Sequence, residues 1–272
     1  MMDVGDKCST GLVYDERFLA HDTGVEATVL TRTGSFELSP LPHPSASTIT
    51  QRTKEFLDRT GLAARMHPIA ARPATLAELS SYHTTEYIAG IHACAQESIH
   101  GPVSASWGEI DDETVLSPGS FEAALYAAGG AMNAVQAVLE GSARNAYALL
   151  RPPGHHATRN QAMGFCLFNN VVVAAQYARR VYGLERVMIV DWDVHHGNGT
   201  QDAFYADSAV LFVSLHQQDW FPEAVGPWSK LVVGPVKVIR STFHYRLGRV
   251  IEVIVPPLSN LSCRLRASII HN

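Results

Sequence analysis

The sequence predicts one α/β domain built on a mainly parallel sheet, and three observations carry that expectation. Short apolar runs of strand length alternate with longer helical stretches, and metal-type residues sit just past the ends of three of those runs. The chain is also large enough for one sizeable core: 272 residues, 46% hydrophobic and 17% charged. In open parallel sheets, sites form beyond the carboxyl ends of the strands.

The run Gly11-Leu-Val-Tyr14 predicts a buried first strand, and the polar, turn-rich stretch 24–50 predicts a surface loop. Residues 50–59 have a helical pattern. Two helices are expected around His83 within 74–94, the first opened by Thr75 with Glu78 three residues on. Ser117 as N-cap and Pro118 in the first turn open a helix that continues through 121–139 and stops at Gly141. Strands at 147–150, 187–190 and 210–213 flank an Ala- and Val-rich helix at 169–182. A last apolar run, 250–255, is either an edge strand or a chance apolar stretch.

The net charge of -5 argues against direct nucleic-acid binding and suits cationic or neutral substrates. Four cysteines without a CxxC spacing indicate neither a disulfide framework nor a cysteine zinc knot, so a reducing, cytoplasmic setting is expected. The amino terminus lacks a charged leader followed by an apolar run, and no stretch approaches the length of a membrane span. Secretion and membrane insertion are not expected. Nothing in the sequence sets an oligomeric state.

The chemistry concentrates in RPPGHHA, which holds His155 and His156, and in Asp191-Trp-Asp193-Val-His195-His196-Gly. Along an extended backbone Asp191, Asp193 and His195 share a face, which makes Asp193 and His195 candidate zinc ligands. Asp191 is then free to orient a neighbouring histidine or to help hold a monovalent cation. Pro152, Pro153 and Gly154 stiffen and turn the chain before the histidine pair. One of that pair can take a proton from a metal-activated water while the other supports the developing oxyanion. The isolated histidines His21, His43, His67, His83, His92 and His100 are read as surface or core residues, and His196 and His216 as hydrogen-bonding neighbours of the site. The acidic run 109–113 is either a substrate rim or a solvated loop.

Taken in order, RPPGHHA, Gly164-Phe-Cys-Leu-Phe-Asn-Asn170, VDWDVHHGNGTQDAFY and VSLHQ with Phe221-Pro222 resemble the zinc-dependent histone deacetylase family. The resemblance is to its class II and bacterial amidohydrolase branch, with the acetylpolyamine amidohydrolases, and runs from about residue 10 to 226. It implies an arginase/deacetylase-like three-layer α/β fold and hydrolysis of the acetyl amide of a lysine in a protein or of a polyamine. By position it makes His156 the general base, His155 its electrostatic partner, Asp191 the residue that orients His155, and Asn198 the partner of His156 where some relatives have aspartate. It makes Gly164, Phe165 and Phe221 the walls of a narrow substrate tunnel. It further implies an inner potassium site from the carbonyls of Asp191, Asp193, His195 and Leu215 with side-chain oxygens of Asp191 and Ser214.

The resemblance divides the chain at about residue 228, into a deacetylase-like domain over 1–228 and a divergent basic tail over 229–272. The tail has seven Lys or Arg against one acid, Glu252, so it carries +6 and the preceding residues -11. The sequence has no aspartate after Asp219, so the second aspartate that the family pattern adds to the zinc site is missing; Asp219, Glu223 and Glu252 are the only acids left to replace it. Tyr245, the one tyrosine there, lies in a context unlike the family's. The fold is therefore expected to lack its usual carboxyl-terminal part, through a divergent, alternatively spliced or out-of-frame end. The alternative to a working hydrolase is a catalytically silent deacetylase-like binding module.

Overall fold

The computed structural model describes residues 10–31, 34–97, 103–104, 114–217, 221–222, 252–255 and 267–271. Strand β1 (Thr10–Val13) buries Leu12 and Val13, and a single 3-10 turn, Glu16–Ala20, follows it. Asp15 caps that turn by accepting the Arg17 N–H at 2.9 Å, which turns Phe18 fully into the core.

Where a loop is expected, β2 (Val25–Thr31) and β3 (Gly34–Pro42) form an antiparallel hairpin. Overall polarity obscures the polar–apolar alternation of Ser35-Phe-Glu-Leu-Ser39, a period-two signal of a strand with one covered face. Helix α1 (Ser47–Arg59), strand β4 (His67–Ile69), and helices α2 (Leu76–Leu79) and α3 (Thr85–Glu97) come next. The expected capping box opens α2: the Thr75 hydroxyl accepts the Glu78 N–H at 3.2 Å, and the Glu78 carboxylate accepts the Thr75 N–H at 2.8 Å.

A short ladder of β5 (Val103–Ser104) and β6 (Val115–Leu116) leads to α4 (Ser120–Leu139). Ser117 is not its N-cap. A turn from the Ser120 N–H to the Ser117 carbonyl precedes the helix, and the Ser117 hydroxyl instead accepts the Asp22 N–H at 2.9 Å. The alanines of α4 are buried, and the helix packs on β1, β4 and the next strand, β7 (Asn145–Leu150). Ala148, Leu149 and Leu150 are all completely buried, and successive strand residues face opposite sides, so the sheet is covered on both faces here. Asn169 caps α5 (Asn170–Tyr182), which returns the chain to β8 (Val187–Asp191), α6 (Asn198–Phe204) and β9 (Val210–Ser214).

Two further strands, β10 (Glu252–Val255) and β11 (Ala267–His271), complete a seven-stranded parallel sheet of order β4-β1-β7-β11-β10-β8-β9. The run 250–255 is therefore not an edge strand. The β7-α5-β8 unit leaves two strand positions open in the middle of the sheet, and parallel pairing by β10 and β11 satisfies the main-chain groups that face that gap. Val255 lies opposite Asp191 and His271 opposite Leu150, so the carboxyl ends are level. The ends of β7 and β8 stand three strand spacings apart, about 14 Å. Among the described residues no helix is long and apolar enough to cross a membrane.

Arg72 grips Glu78 through both guanidinium ends, at 2.6 and 2.8 Å. That hydrogen-bonded cation holds the Glu78 carboxyl at about 2, below its ordinary value and against the opposing effect of burial. A depressed carboxyl pKa stabilises the fold above the ordinary carboxylate range and loses that contribution as pH falls toward 2. Glu78→Gln keeps the cap but removes the charge. It should lower denaturant-measured stability by about 1–2 kcal/mol at pH 7, since the partly exposed pair is screened, and by nearly nothing near pH 2.

Candidate active site

The site is built from the carboxyl end of β7, where Arg151 is 1% exposed. Its guanidinium donates to the Ser45 carbonyl at 2.9 and 2.7 Å, to the Phe18 carbonyl at 3.0 Å, to the His21 carbonyl, and to the Thr23 hydroxyl at 3.4 Å. Burial pushes its pKa down to about 10, with Asp22 opposing, which leaves it cationic at neutral pH. The next residues are rigid. The Arg151–Pro152 peptide is cis, the Pro152 carbonyl accepts the Asn170 side-chain amide at 3.1 Å, and the Ala157 N–H closes a turn onto the Gly154 carbonyl at 3.1 Å.

His155 and His156 follow, both buried, with ring centroids 3.9 Å apart. His155 reaches the end of β8, where its Nδ1 lies 2.9 Å from Asp191 Oδ2. Burial disfavours charge on this ring, but the Asp191 carboxylate outweighs it, helped by Asp193, and the pKa is raised. His156 Nδ1 instead meets the uncharged Asn198 Oδ1 at 2.8 Å, at the start of α6. Burial and then the charge of His155 push the His156 pKa well below the ordinary histidine value, against the Asn198 hydrogen bond. Because Asn198 Oδ1 can only accept, Nδ1 carries the proton and Nε2 of His156 is the basic atom.

Strand β8 ends at Asp191 and does not continue through Asp193 and His195 as the spacing argument expects. The carboxylates intervene. Asp191 Oδ1 accepts the Asp193 N–H at 3.1 Å and Asp193 Oδ1 accepts the His195 N–H at 2.9 Å, two successive side-chain turns that divert the backbone from the ladder. The two candidate zinc ligands still converge, with Asp193 Oδ1 3.2 Å from His195 Nδ1. Zinc bonds of about 2.0–2.1 Å in a tetrahedron place neighbouring donors about 3.3 Å apart, so this pair fits one edge of a zinc site. Among the described residues, no group of three His, Cys, Asp or Glu side chains could hold a metal ion. Asp219 and Glu223, like Tyr245 and the acidic run 109–113, lie outside the described residues, and of Glu252 only the backbone is described.

Residues expected at a potassium site also cluster. Ser214 pairs with Asp191 across β9 and β8, and the Asp191 carbonyl accepts the Leu215 N–H at 2.7 Å. Ser214 Oγ lies 2.8 Å from Nδ1 of His216, whose pKa burial lowers. His196 pairs with Gln201 at 2.8 Å and is held near 4 by burial and by His216.

Of the three residues expected as walls, Phe221 and Gly164 lie against the histidines. Phe221 sets its ring edge-on to His156 at 4.9 Å and to His195 at 5.9 Å. Gly164 has φ +53°, and a Cβ there would collide with the His156 ring and meet Phe221 Cε1 at 2.8 Å. Phe165 has φ +67°, a left-handed conformation that costs a non-glycine residue about 1–2 kcal/mol.

A family model described as the histone deacetylase domain matches residues 43–237, well over half of the chain. The chain belongs to this family. As a deacetylase-family domain it is similar to the histone deacetylase-like amidohydrolase of Pseudomonas aeruginosa, 40% identical over 215 residues that make up 78% of this chain and 54% of that protein. Human polyamine deacetylase HDAC10 is 35% identical over 226 residues, 74% of this chain and 34% of that one. A crystal structure of the HDA15 HD domain superposes with a TM-score of 0.69 at 35% identity, covering 82% of this chain and 58% of that one. The fold is thus the arginase/deacetylase-like α/β fold, and the chain spans about half the length or less of these curated relatives.

Several supporting residues of this deacetylase domain escape sequence reasoning. His43 packs edge-to-face on Phe165 at 4.7 Å, and His83, set aside as a lone histidine, accepts the Asn169 N–H at 2.9 Å beneath the site. Thr114 accepts the Phe165 N–H at 2.9 Å. Each acts through a partner far away in sequence, so no local pattern announces it. Gly164→Ala combines a left-handed backbone with the clash against His156. It should cost at least about 2 kcal/mol in the denaturation midpoint or displace the His156 ring in a crystal structure.

Proposed function

We propose that this domain is a zinc-dependent hydrolase of acetyl amides, acting on acetyl-lysine in proteins or on acetylpolyamines. One observation carries the reading: a histidine with its pKa lowered and its Nδ1 engaged by Asn198, beside a second histidine with its pKa raised, lies near a carboxylate–imidazole pair of zinc-ligand geometry under the ring of Phe221. Zinc at Asp193 and His195 would supply acidity to the attacking water and polarise the acetyl carbonyl.

The chain's own residues do the rest. His156 accepts a proton at Nε2 because Asn198 holds the other proton on Nδ1, and His155, whose pKa Asp191 raises, supports negative charge developing on the acetyl oxygen. Phe165 and Phe221 flank the aliphatic stem and exclude water. Asp191, Ser214 and Leu215, with the carbonyls of Asp193 and His195, offer the oxygens for a potassium ion that would hold the β8 and β9 ends together. The net charge of -5 suits a cationic amine product better than a nucleic acid.

A second reading, a silent acetyl-lysine-binding module, is favoured by one specific observation: the described residues bring together two metal donors and no third. Metal analysis after purification with zinc present separates the two readings. About one tightly held zinc per chain supports the hydrolase, and none supports the silent module. In deacetylation of acetyl-lysine peptide and acetylpolyamine, His156→Ala should lower turnover about 10²–10⁴-fold. Equal turnover by both proteins would remove His156 from the mechanism.

A further inference from the structure

Phe165 needs something to hold it. It is the one residue other than glycine with a positive φ among the described residues. With Gly164 it occupies the centre of a tight turn in which the Cys166 N–H donates to the Met163 carbonyl at 2.9 Å and the Met163 N–H donates back at 3.3 Å. Two successive positive φ angles mark a type I′ turn, whose central positions ordinarily take Gly, Asn or Asp. An aromatic residue at the second of them does not stay there on its own preference.

Two buried side chains from elsewhere in the chain close on it. Thr114, 1% exposed, accepts the Phe165 N–H at its Oγ1, fixing the backbone of the turn. His43, 4% exposed, sets its ring at 78° to the Phe165 ring, fixing the side chain. His43 is itself held, because its Nδ1 accepts the Ser45 N–H at 3.0 Å, and the Ser45 carbonyl takes two hydrogen bonds from Arg151. The wall residue is thus tied through His43 and Ser45 to the same anchor that orients the catalytic loop.

We propose that Thr114 and His43 are positioning residues that hold Phe165 in its left-handed conformation and thereby set the affinity of the channel for the acyl-amine stem. The part concerning affinity rests on the reading of Phe165 as a substrate wall; the part concerning conformation does not. Thr114→Val replaces the hydroxyl by a methyl of the same shape, Thr114→Ser restores an acceptor, and His43→Leu removes the ring contact together with the acceptor of the Ser45 N–H.

The experiment has two arms on the full chain. In the first, 4-fluorophenylalanine is placed at position 165 and its fluorine resonance is recorded without ligand. A single narrow line is expected for the parent and for Thr114→Ser, and a shifted, broadened or split line for Thr114→Val and His43→Leu. In the second, acetyl-lysine peptide is the probe: KM should rise about tenfold in Thr114→Val with kcat within about twofold, and Thr114→Ser should recover it. An unchanged fluorine line in both Thr114→Val and His43→Leu overturns the positioning role whatever the activity. A changed line with unchanged KM overturns the affinity role. If the parent neither turns over nor binds the peptide, the substrate reading and the affinity role fail with it, while the fluorine arm still decides the positioning role.

Discussion

The structure depends first on the burial of one cation. Arg151 lies at the end of β7 with no carboxylate in hydrogen-bonding range among the described residues, so its charge is solvated by main-chain carbonyls and a hydroxyl drawn from residues 18, 21, 23 and 45. Hydrogen bonds to a charged group are worth about 1.5–3 kcal/mol each, and a buried guanidinium deprived of them would be very costly. The segments before and after the β2–β3 hairpin therefore have little freedom: they must bring those oxygens to the carboxyl end of β7. In return they fix the point from which the Pro152-Pro153-Gly154 turn launches the two buried histidines.

That launch point matters because the partners of the histidines are on other elements. His155 finds a carboxylate on β8 and His156 an amide on α6, so two adjacent, equally buried imidazoles are driven in opposite directions. The difference comes from one oxygen being charged and the other not. Two opposite pKa shifts are thereby produced within a single dipeptide, without any change in residue type.

The sheet supplies the distance between these parts. With β10 and β11 paired between β7 and β8, the ends of the outer two stand apart, and the loop that carries His155 and His156 must arch over the ends of the inner two. The site sits over strands from the chain's last quarter, although the side chains that build it come from 155–221. Loss of that inner pairing would expose unpaired strand edges in the middle of the domain as well as unseat the loop.

By itself the sequence determined the alternation of strands and helices, the capping box at Thr75, and the identity of the residues beyond each strand end. These are local properties: period, caps and residue chemistry are set by neighbours a few positions away. It misplaced the start of α4 because Ser117 is claimed by Asp22, missed the hairpin under its polar composition, and extended β8 through carboxylates that turn the chain aside. Which strands are neighbours, which histidine has its pKa raised, and why Phe165 keeps a left-handed backbone were decided only by the tertiary structure. Each depends on groups tens of residues apart, Asp191 with His155, Asn198 with His156, Thr114 and His43 with Phe165, and no spacing along the chain encodes a contact closed across the sheet.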